Sequence, residues 1–278
     1  MASTVGMIGL GIMGGAMASN LLKAGFRVIG YDVAPAARRA GIVVTSLPSV
    51  AALTAVSEEI ARGKRKGLIV VETSTMPLEA KQAAREVLER AGATLLDCPL
   101  SGTGAQARAK DLLVYASGSR AAYRECVPVF KGFARGHHYL GAFGNGSRMK
   151  YVANLLVAIH NVAAAEAMVL AMKSGLDPAL SYKVLTDGAG NSRMFQVRGP
   201  MMVAGDYSSD VTMKLAVWQK DMNAIADFAK ANGCPTPLFS ATVPLYIAAT
   251  ANDPLEDTGA VCAVIEKLAN YRRKKSRS

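Results

Sequence analysis

The sequence predicts an α/β domain with a mostly parallel sheet, followed by an all-α domain. In the first half of the chain, short apolar runs ending in glycine or an acidic residue alternate with helical stretches, as in βαβ units. After Gly146 the alternation stops and long apolar helical stretches follow. The 278 residues are enough for two domains, which we place at 1–147 and 148–278.

The individual elements follow from the same patterns of apolar residues and breakers. Strands are predicted at 4–9, 27–32, 42–47, 67–72, 94–97 and 112–116. Helices are predicted at 13–24, 78–91, 149–173, 179–185, 213–232 and 258–271, and no strand is predicted beyond residue 150.

Composition and charge narrow the function classes. The formal charge is +11, but part of it lies in the terminal run 272–275, and no aromatic residues accompany the basic runs, so nucleic-acid binding is not indicated. The four cysteines form no CxxC pair, and neither they nor the histidines predict a metal site; buried thiols of a cytoplasmic protein are the simpler interpretation. The apolar stretch 152–172 is interrupted by Asn154, His160, Asn161 and Glu166, which favours a buried helix over a membrane span.

A glycine-rich turn joins the first predicted strand to the first helix. Gly9, Gly11 and Gly14 form a GxGxxG pattern, and Asp32 ends the second strand about 20 residues on, as in dinucleotide-binding turns. Gly9 permits the turn, Gly11 lets the backbone approach a pyrophosphate, and Gly14 lets the helix pack closely. We therefore predict a Rossmann-type doubly wound sheet that binds NAD, with NADP possible because arginines follow Asp32. The intervening residues of the predicted cofactor site are Leu10, Ile12 and Met13.

A second pattern, Gly144-Asn-Gly-Ser-Arg-Met-Lys150, opens the long apolar helix. Lys150 and Asn154 are four residues apart and share one helix face. Burial lowers the pKa of a lysine, which would let Lys150 exchange protons near neutral pH, as alcohol oxidation requires. Spacing alone equally allows an ordinary lysine at a helix start, with its stem buried and its ammonium in water.

Two further loops follow predicted strands. Ser101-Gly102-Thr103 offers hydroxyl and backbone N–H groups to a substrate carboxylate, although an ordinary turn fits the same residues. The stretch 72–77, which contains Thr75, also ends a strand. Because ligands of open α/β sheets bind beyond the carboxyl ends of the strands, both loops point to the same region.

Together these motifs resemble the β-hydroxyacid dehydrogenase family over nearly the whole chain, in the family's order and spacing. The resemblance implies that Lys150 is the catalytic acid/base of an NAD(P)-dependent oxidation of a small 3-hydroxy acid. It assigns substrate contacts to Ser101, Gly102, Thr103 and Asn154. It assigns cofactor contacts to Leu47, Pro48, Thr75 and Lys220. It also implies a homodimer or homotetramer.

The chain departs from the family pattern in two places. Ala153 stands where the family often has the first of two asparagines, and Asn154 retains the second. After the second strand, roughly 15–20 residues are missing relative to the usual strand–helix alternation. Ala40-Gly41 then opens the loop, and Ile42 begins what would be the fourth strand.

Two other functions remain open on the sequence. An imine reductase can share this fold, although related imine reductases generally lack the lysine at this position. A cofactor-binding interaction protein without catalysis could use the basic surface to meet an acidic partner. Lys150 argues against the imine reductase, and the set of Lys150, Asn154 and Ser101 argues against the interaction protein.

Overall fold

A computed structural model describes residues 3–31 and 40–273 of the chain, and at Tyr31 it describes the backbone alone. The chain divides into two compact units, Met1–Lys150 and Tyr151–Ser278. The first is an α/β unit and the second is helical, as the sequence predicts.

A five-stranded parallel sheet organises the amino-terminal unit. Its strands run in the order β2-β1-β3-β4-β5, and all four neighbouring pairs are parallel. Successive strand residues face opposite sides, so Val43 and Val70 belong to one core, whereas Val44 and Val71 belong to another. The strands are β1 (Thr4–Ile8), β2 (Arg27–Tyr31), β3 (Ile42–Thr45), β4 (Ile69–Glu72) and β5 (Thr94–Asp97).

Helices cover both faces of this sheet, which makes it doubly wound. Helices α1 (Ile12–Lys23) and α5 (Arg120–Phe133) contribute Met17 and Phe130 to one core. Helices α2 (Val50–Arg62) and α3 (Leu78–Arg90) contribute Leu53 and Leu88 to the other. Both faces are therefore apolar, which explains why the strands read as continuous apolar runs.

The sheet also shows where the chain is shorter than the usual dinucleotide-binding fold. In that fold a third strand lies outside the second, and the fourth pairs with the first. Here β3 pairs with β1, with Val5 beside Ile42, so it takes the place of the fourth strand, as the sequence predicts. Within the described residues, β2 is an edge strand.

The predicted strand at 112–116 belongs to a separate sheet rather than to the main one. Strand β6 (Leu100–Ser101) pairs antiparallel with β7 (Leu113–Ala116), which pairs parallel with β8 (Gly136–Tyr139). The sequence did not indicate β6 or β8, because β6 has two residues and β8 contains the His137-His138 pair. A short helix, α4 (Gly104–Arg108), connects β6 to β7.

The carboxyl-terminal unit is built around the long helix α6 (Asn145–Lys173), which begins four residues before the predicted start. Buried side chains of α6, among them Ala165 and Met168, pack with Trp218 and Tyr246 in one core. The remaining helices are α7 (Pro178–Asp187), α8 (Arg193–Ala204), α9 (Leu215–Ala231), α10 (Pro237–Asn252) and α11 (Val261–Leu268), with a 3₁₀ turn at Thr258–Ala260. Helices α8 and α10 were not predicted, since each contains an internal proline.

By length and composition, α6 is the one helix among the described residues that could cross a membrane, and half of its apolar stretch is buried in the fold. A core helix passes the same test. The four cysteines are free; Cys98, Cys126 and Cys262 are buried, whereas Cys234 is exposed.

Candidate active site

Three glycines shape the turn between β1 and α1, each for a different steric reason. Gly9 has φ +89°, and a Cβ there would lie 2.1 Å from the carbonyl oxygen of Ser46. A Cβ on Gly14 would lie 1.8 Å from the carbonyl oxygen of Gly9. At Gly11, by contrast, nothing lies within 4 Å of a Cβ position, so the backbone there faces open space. These are the three properties that a pyrophosphate-binding turn requires.

Helix α1 begins at this turn in a form suited to an anion. Gly11 is its N-cap, no side chain caps it, and its first turn carries no acidic residue. The N–H groups and the positive end of the helix dipole therefore face a phosphate without competition from a carboxylate of the same helix. Leu10 and Ile12 flank Gly11 with exposed side chains, and Met13 is half-buried.

The loops that follow β3 and β4 are joined to each other and to the glycine turn. The backbone N–H of Leu47 donates to Ser74 Oγ at 2.8 Å. The N–H of Ser46, one residue earlier, donates to the carbonyl oxygen of Ile8 at 2.9 Å. Leu47 and the half-buried Thr75 are thereby brought to the carboxyl edge of the sheet, and the exposed Pro48 follows Leu47.

The Ser101–Thr103 loop adopts a defined conformation. Gly102 has φ +134°, and a Cβ there would lie 2.6 Å from Leu112 Cδ2, so this position requires glycine. Thr103 is the N-cap of α4, and its backbone N–H donates to Gln106 Oε1 at 3.0 Å, as in a capping box. This N–H is therefore engaged within the loop, and it is not among the groups that we assign to a substrate. Gln106 was not singled out in the sequence, although the Thr-x-x-Gln spacing is a capping-box pattern.

The Ser101–Thr103 loop and the glycine turn lie side by side. A Cβ on Gly104 would be 2.5 Å from Ile12 Cγ2, so Ile12 rests against the start of α4. Asn20 of α1 donates from Nδ2 to the carbonyl oxygen of Ala107 at 2.7 Å, and both residues are buried. The amino-terminal unit thus places Gly9–Gly14 and Ser101–Thr103 next to each other.

Lys150 lies in the second turn of α6 and is half-buried. Its helix begins with Gly146 packed so tightly that a Cβ would lie 2.3 Å from the carbonyl oxygen of Tyr115. The first turn of α6 therefore lies against β7, the strand that pairs with the Ser101 strand.

Asn154 is buried on the same helix, one turn after Lys150. In the carboxyl-terminal unit its Nδ2 donates to Asp221 Oδ2 at 2.9 Å. Because a carboxylate only accepts, this contact fixes which end of the amide faces Asp221. Asp221, which follows Lys220, was not singled out in the sequence. Lys220 itself is exposed on α9.

Asp32, predicted to hold the adenosine ribose, lies outside the described residues. Among the residues that the structure does describe, no group of three His, Cys, Asp or Glu side chains could hold a metal ion.

Two family models match most of this chain. A model described as the NAD binding domain of 6-phosphogluconate dehydrogenase matches residues 4–40 and 33–141, and it breaks into two pieces where the chain is shorter. A model described as NAD-binding of NADP-dependent 3-hydroxyisobutyrate dehydrogenase matches residues 144–265. L-Threonate dehydrogenase from Cupriavidus necator is 32% identical, over 95% of this chain and 96% of that protein.

This chain belongs to the β-hydroxyacid dehydrogenase family. It is 29% identical to 2-hydroxy-3-oxopropionate reductase from Escherichia coli, over 96% of this chain and 99% of that protein. The crystal structure of 3-hydroxyisobutyrate dehydrogenase from Salmonella typhimurium has a TM-score of 0.84 and 31% identity, over 94% and 99% of the two chains. This β-hydroxyacid dehydrogenase is an NAD(P)-dependent oxidoreductase that acts on hydroxy acids. The alignment with the threonate enzyme spans 288 positions, more than the 278 residues here, so that relative carries residues this chain lacks.

Proposed function

We propose that this β-hydroxyacid dehydrogenase oxidises a small 3-hydroxy acid with Lys150 as the general acid/base. One observation carries the proposal. Within the amino-terminal unit, the open backbone at Gly11 lies beside the Ser101–Thr103 loop. Helix α6, which carries Lys150, begins against β7, and β7 pairs with the strand that holds Ser101. A cofactor phosphate site, a carboxylate-binding loop and a lysine are the parts that such an oxidation requires.

Each residue has a role in the proposed reaction. The hydroxyl of Ser101 and the turn at Gly102 would hold the substrate carboxylate, with the Thr103 hydroxyl beside them. Lys150 Nζ takes the proton of the substrate hydroxyl as the C–H bond gives up its hydride, which leaves a carbonyl group. Bound NAD(P)⁺ supplies the hydride acceptor. In the reverse direction Lys150 returns the proton to the carbonyl oxygen, and Asn154 and Lys220 orient the reactants.

The proposed cofactor contacts are Gly9 to Gly14, Leu47, Pro48 and Thr75, with Asp32 on the adenosine ribose. A carboxylate at Asp32 repels a 2′-phosphate, so we propose a preference for NAD over NADP. Substrates of the relatives, L-threonate and 3-hydroxyisobutyrate, are the first to test. We propose a cytoplasmic location, because the fold and the free cysteines fit a reducing compartment.

We also propose that the protein is a homo-oligomer whose subunits meet through the helical unit. Helices α6 and α7 border an apolar groove of about 560 Å³. Leu170 and Leu180 on its edges are 72% and 59% exposed. Contiguous exposed apolar surface of this kind marks an interface. We expect light scattering to give a dimer or tetramer that Leu180→Asp shifts toward the monomer; a monomeric wild-type protein would contradict this.

The role of Lys150 is tested by Lys150→Ala. Loss of proton transfer is expected to lower kcat about 10²- to 10⁴-fold. Binding of NADH, followed by the change in its fluorescence, is expected to remain, because the glycine turn is untouched. Lys183→Ala, the same change at an exposed lysine of α7, serves as the matched control and should leave kcat unchanged.

The same assay separates the alternatives. Substantial hydroxy-acid turnover by Lys150→Ala would contradict the role of Lys150 as the general acid/base. Reduction of a cyclic imine by the wild-type protein, without oxidation of any hydroxy acid, would favour the imine reductase. Binding of NAD without turnover of either substrate class would favour the interaction protein. Every assay is run with both NAD and NADP, which tests the preference assigned to Asp32.

A further inference from the structure

A buried ion cluster lies at the carboxyl ends of β4 and β5, outside the residues assigned to substrate or cofactor. Lys81, in the first turns of α3, has no exposed surface. Its Nζ lies 2.7 Å from Glu72 Oε2 and 2.8 Å from Asp97 Oδ1, and both carboxylates are also wholly buried. Burial alone would lower the pKa of Lys81, but the two carboxylates outweigh burial and raise it above its ordinary value. Lys81 is therefore charged.

Asp97 also accepts two hydrogen bonds from the helix that carries Lys150, besides one from the hydroxyl of Ser117. The backbone N–H of Ser147 donates to Asp97 Oδ2 at 2.8 Å, and Ser147 Oγ donates to Asp97 Oδ1 at 2.8 Å. Ser147 is the third residue of α6 and is buried. A carboxylate is stabilised at the amino terminus of a helix, and this one supplies both a charge and a cap.

The cluster carries one more carboxylate than it has cations, which the helix terminus helps to balance. Glu72 and Asp97 face a single ammonium, and the positive end of the 29-residue helix α6 meets Asp97 on its other side. Buried ion clusters of this kind are weak sources of net stability, because desolvation offsets the attraction between the charges. The arrangement is therefore better explained by what it holds in place.

The packing around Asp97 leaves α6 little freedom to shift. The N–H of Gly146 donates to Ser117 Oγ at 2.9 Å, and Ser117 Oγ in turn donates to the carbonyl oxygen of Asp97 at 3.1 Å. A Cβ on Gly146 would lie 2.7 Å from that same oxygen. Consecutive residues of the first turn, Gly146 and Ser147, are thus both tied to the end of β5.

The other end of the cluster holds a predicted cofactor loop. Glu72 Oε1 accepts the N–H of Ser74 at 2.9 Å, and Ser74 Oγ accepts the N–H of Leu47. One buried cluster therefore anchors the Leu47 and Ser74 loops on one side and the start of α6 on the other.

We propose that Asp97 and Ser147 are positioning residues that set the register and direction of the first turn of α6, and thereby place Lys150, while Lys81 and Glu72 hold the Asp97 carboxylate. Ser147 precedes Lys150 by three residues, one helical turn, so a displacement at Ser147 is passed directly to Lys150. This inference rests on the proposed role of Lys150. Small misplacements of a reacting group cost large factors in rate, so the effect should fall on kcat.

The test compares two serine-to-alanine variants in the same unit. Ser147→Ala removes the hydroxyl contact to Asp97, whereas Ser119→Ala removes a serine that caps α5 through the N–H of Ala122. We expect Ser147→Ala to lower kcat about 10-fold with the Kd for NADH unchanged, and Ser147→Thr to restore kcat. Ser119→Ala should leave kcat unchanged. L-Threonate or 3-hydroxyisobutyrate serves as substrate, whichever the wild-type protein oxidises.

A second readout does not depend on activity. Hydrogen exchange of the peptide that covers the first turns of α6 should quicken about fivefold in Ser147→Ala and not in Ser119→Ala. Asp97→Asn should give a larger change in both readouts; if it does not fold, the serine pair decides. Wild-type kcat in Ser147→Ala, or an equal loss in Ser119→Ala, would overturn the proposal. Turnover by Lys150→Ala would instead overturn the proposed function and leave the exchange result to decide whether Asp97 anchors α6.

Discussion

In the amino-terminal unit Lys81 lies between two carboxylates, whereas in the carboxyl-terminal unit Arg198 pairs with the single carboxylate of Asp257. Both clusters are buried, but their remaining hydrogen bonds go to different kinds of structure. Asp97 accepts a hydrogen bond from the amino terminus of α6. Asp257 accepts hydrogen bonds from the loop before α9 and from the N–H of Gly259 in the 3₁₀ turn.

The Asp257 carboxylate is surrounded by donors from its own unit. Arg198 Nε lies 2.8 Å from Oδ1, and the N–H of Gly259 donates to the same oxygen at 2.9 Å. Oδ2 accepts the N–H and hydroxyl of Thr212, each at 2.7 Å, and the N–H of Met213 at 3.0 Å. The pair therefore joins α8, the loop before α9 and the 3₁₀ turn. None of these contacts involves a residue to which we assign chemistry.

The difference teaches that burial of charge does not by itself identify a functional site. A balanced pair whose other partners belong to a loop and a 3₁₀ turn stabilises a connection within the unit. A cluster with an excess carboxylate directed at the start of the helix that bears Lys150 can instead set the position of a reacting group. The two clusters should consequently respond differently when they are broken.

The largest effect is expected from Asp257→Ala. It leaves the Arg198 guanidinium buried without its carboxylate and removes the acceptor of several N–H groups, which should cost about 3–5 kcal/mol of unfolding free energy. Urea denaturation followed by the fluorescence of Trp218 measures it, because this single tryptophan is buried in the carboxyl-terminal unit. Arg198→Met, which leaves Asp257 with its N–H donors, should cost less, about 1–3 kcal/mol. An equal loss in both variants would mean that the ion pair outweighs the N–H contacts.

A change in pH is expected to have a smaller effect on the free energy of unfolding, and the sign of this effect is opposite in the two clusters. Burial would raise the pKa of Asp257, but Arg198 and the N–H donors outweigh burial and hold it below its ordinary value. Its contribution is therefore present above an unfolded pKa of about 3.9 and is lost as pH falls below it. The pKa of Lys81 is raised, so its contribution is present below about 10.4 and is lost as pH rises above that value.

Urea midpoints by Trp218 fluorescence between pH 7 and pH 3 should fall in the wild-type protein and fall less steeply in Asp257→Asn. Urea midpoints for the amino-terminal unit, measured by hydrogen exchange, should fall as pH rises above 10. This fall should be smaller in Lys81→Met. Equal acid slopes for wild type and Asp257→Asn would contradict the assignment of this titration to Asp257.

Much of the fold could be predicted because local patterns dictate it. Glycine spacing, alternating apolar runs and the break in pattern after Gly146 identified the doubly wound sheet and the helical unit. Helices α2 and α5 were missed along with several elements whose local signal is weak or contradictory. Strand β6 is too short to show a period, and α8 and α10 contain prolines. The strand at 112–116 was found, but its membership of a second sheet depends on β6 and β8, which no local pattern indicates.

The candidate site shows the same division. Gly9, Gly11 and Gly14 were assigned three distinct steric roles from the sequence. The structure shows a positive φ at Gly9, close packing at Gly14 and open space beside Gly11, whereas the pyrophosphate contact of Gly11 stays a prediction. The hydrogen-bond partner of Thr103 and the carboxylate partner of Asn154 were not foreseen. Both depend on which side chains the fold brings together, and for Asn154 the partner Asp221 lies 67 residues away.

The sequence by itself identified the dinucleotide-binding turn and, through the order of its motifs, the β-hydroxyacid dehydrogenase family, because motif spacing is a local property. Lys150 became the candidate acid/base through that family resemblance. It also showed that β3 would follow β2 without the usual intervening strand. Only the tertiary structure decided that Lys81 lies between Glu72 and Asp97 and that Asp97 caps α6. These contacts join residues that are separated by up to 50 positions. The groups that surround a buried charge are therefore set by the folded chain and not by the local sequence.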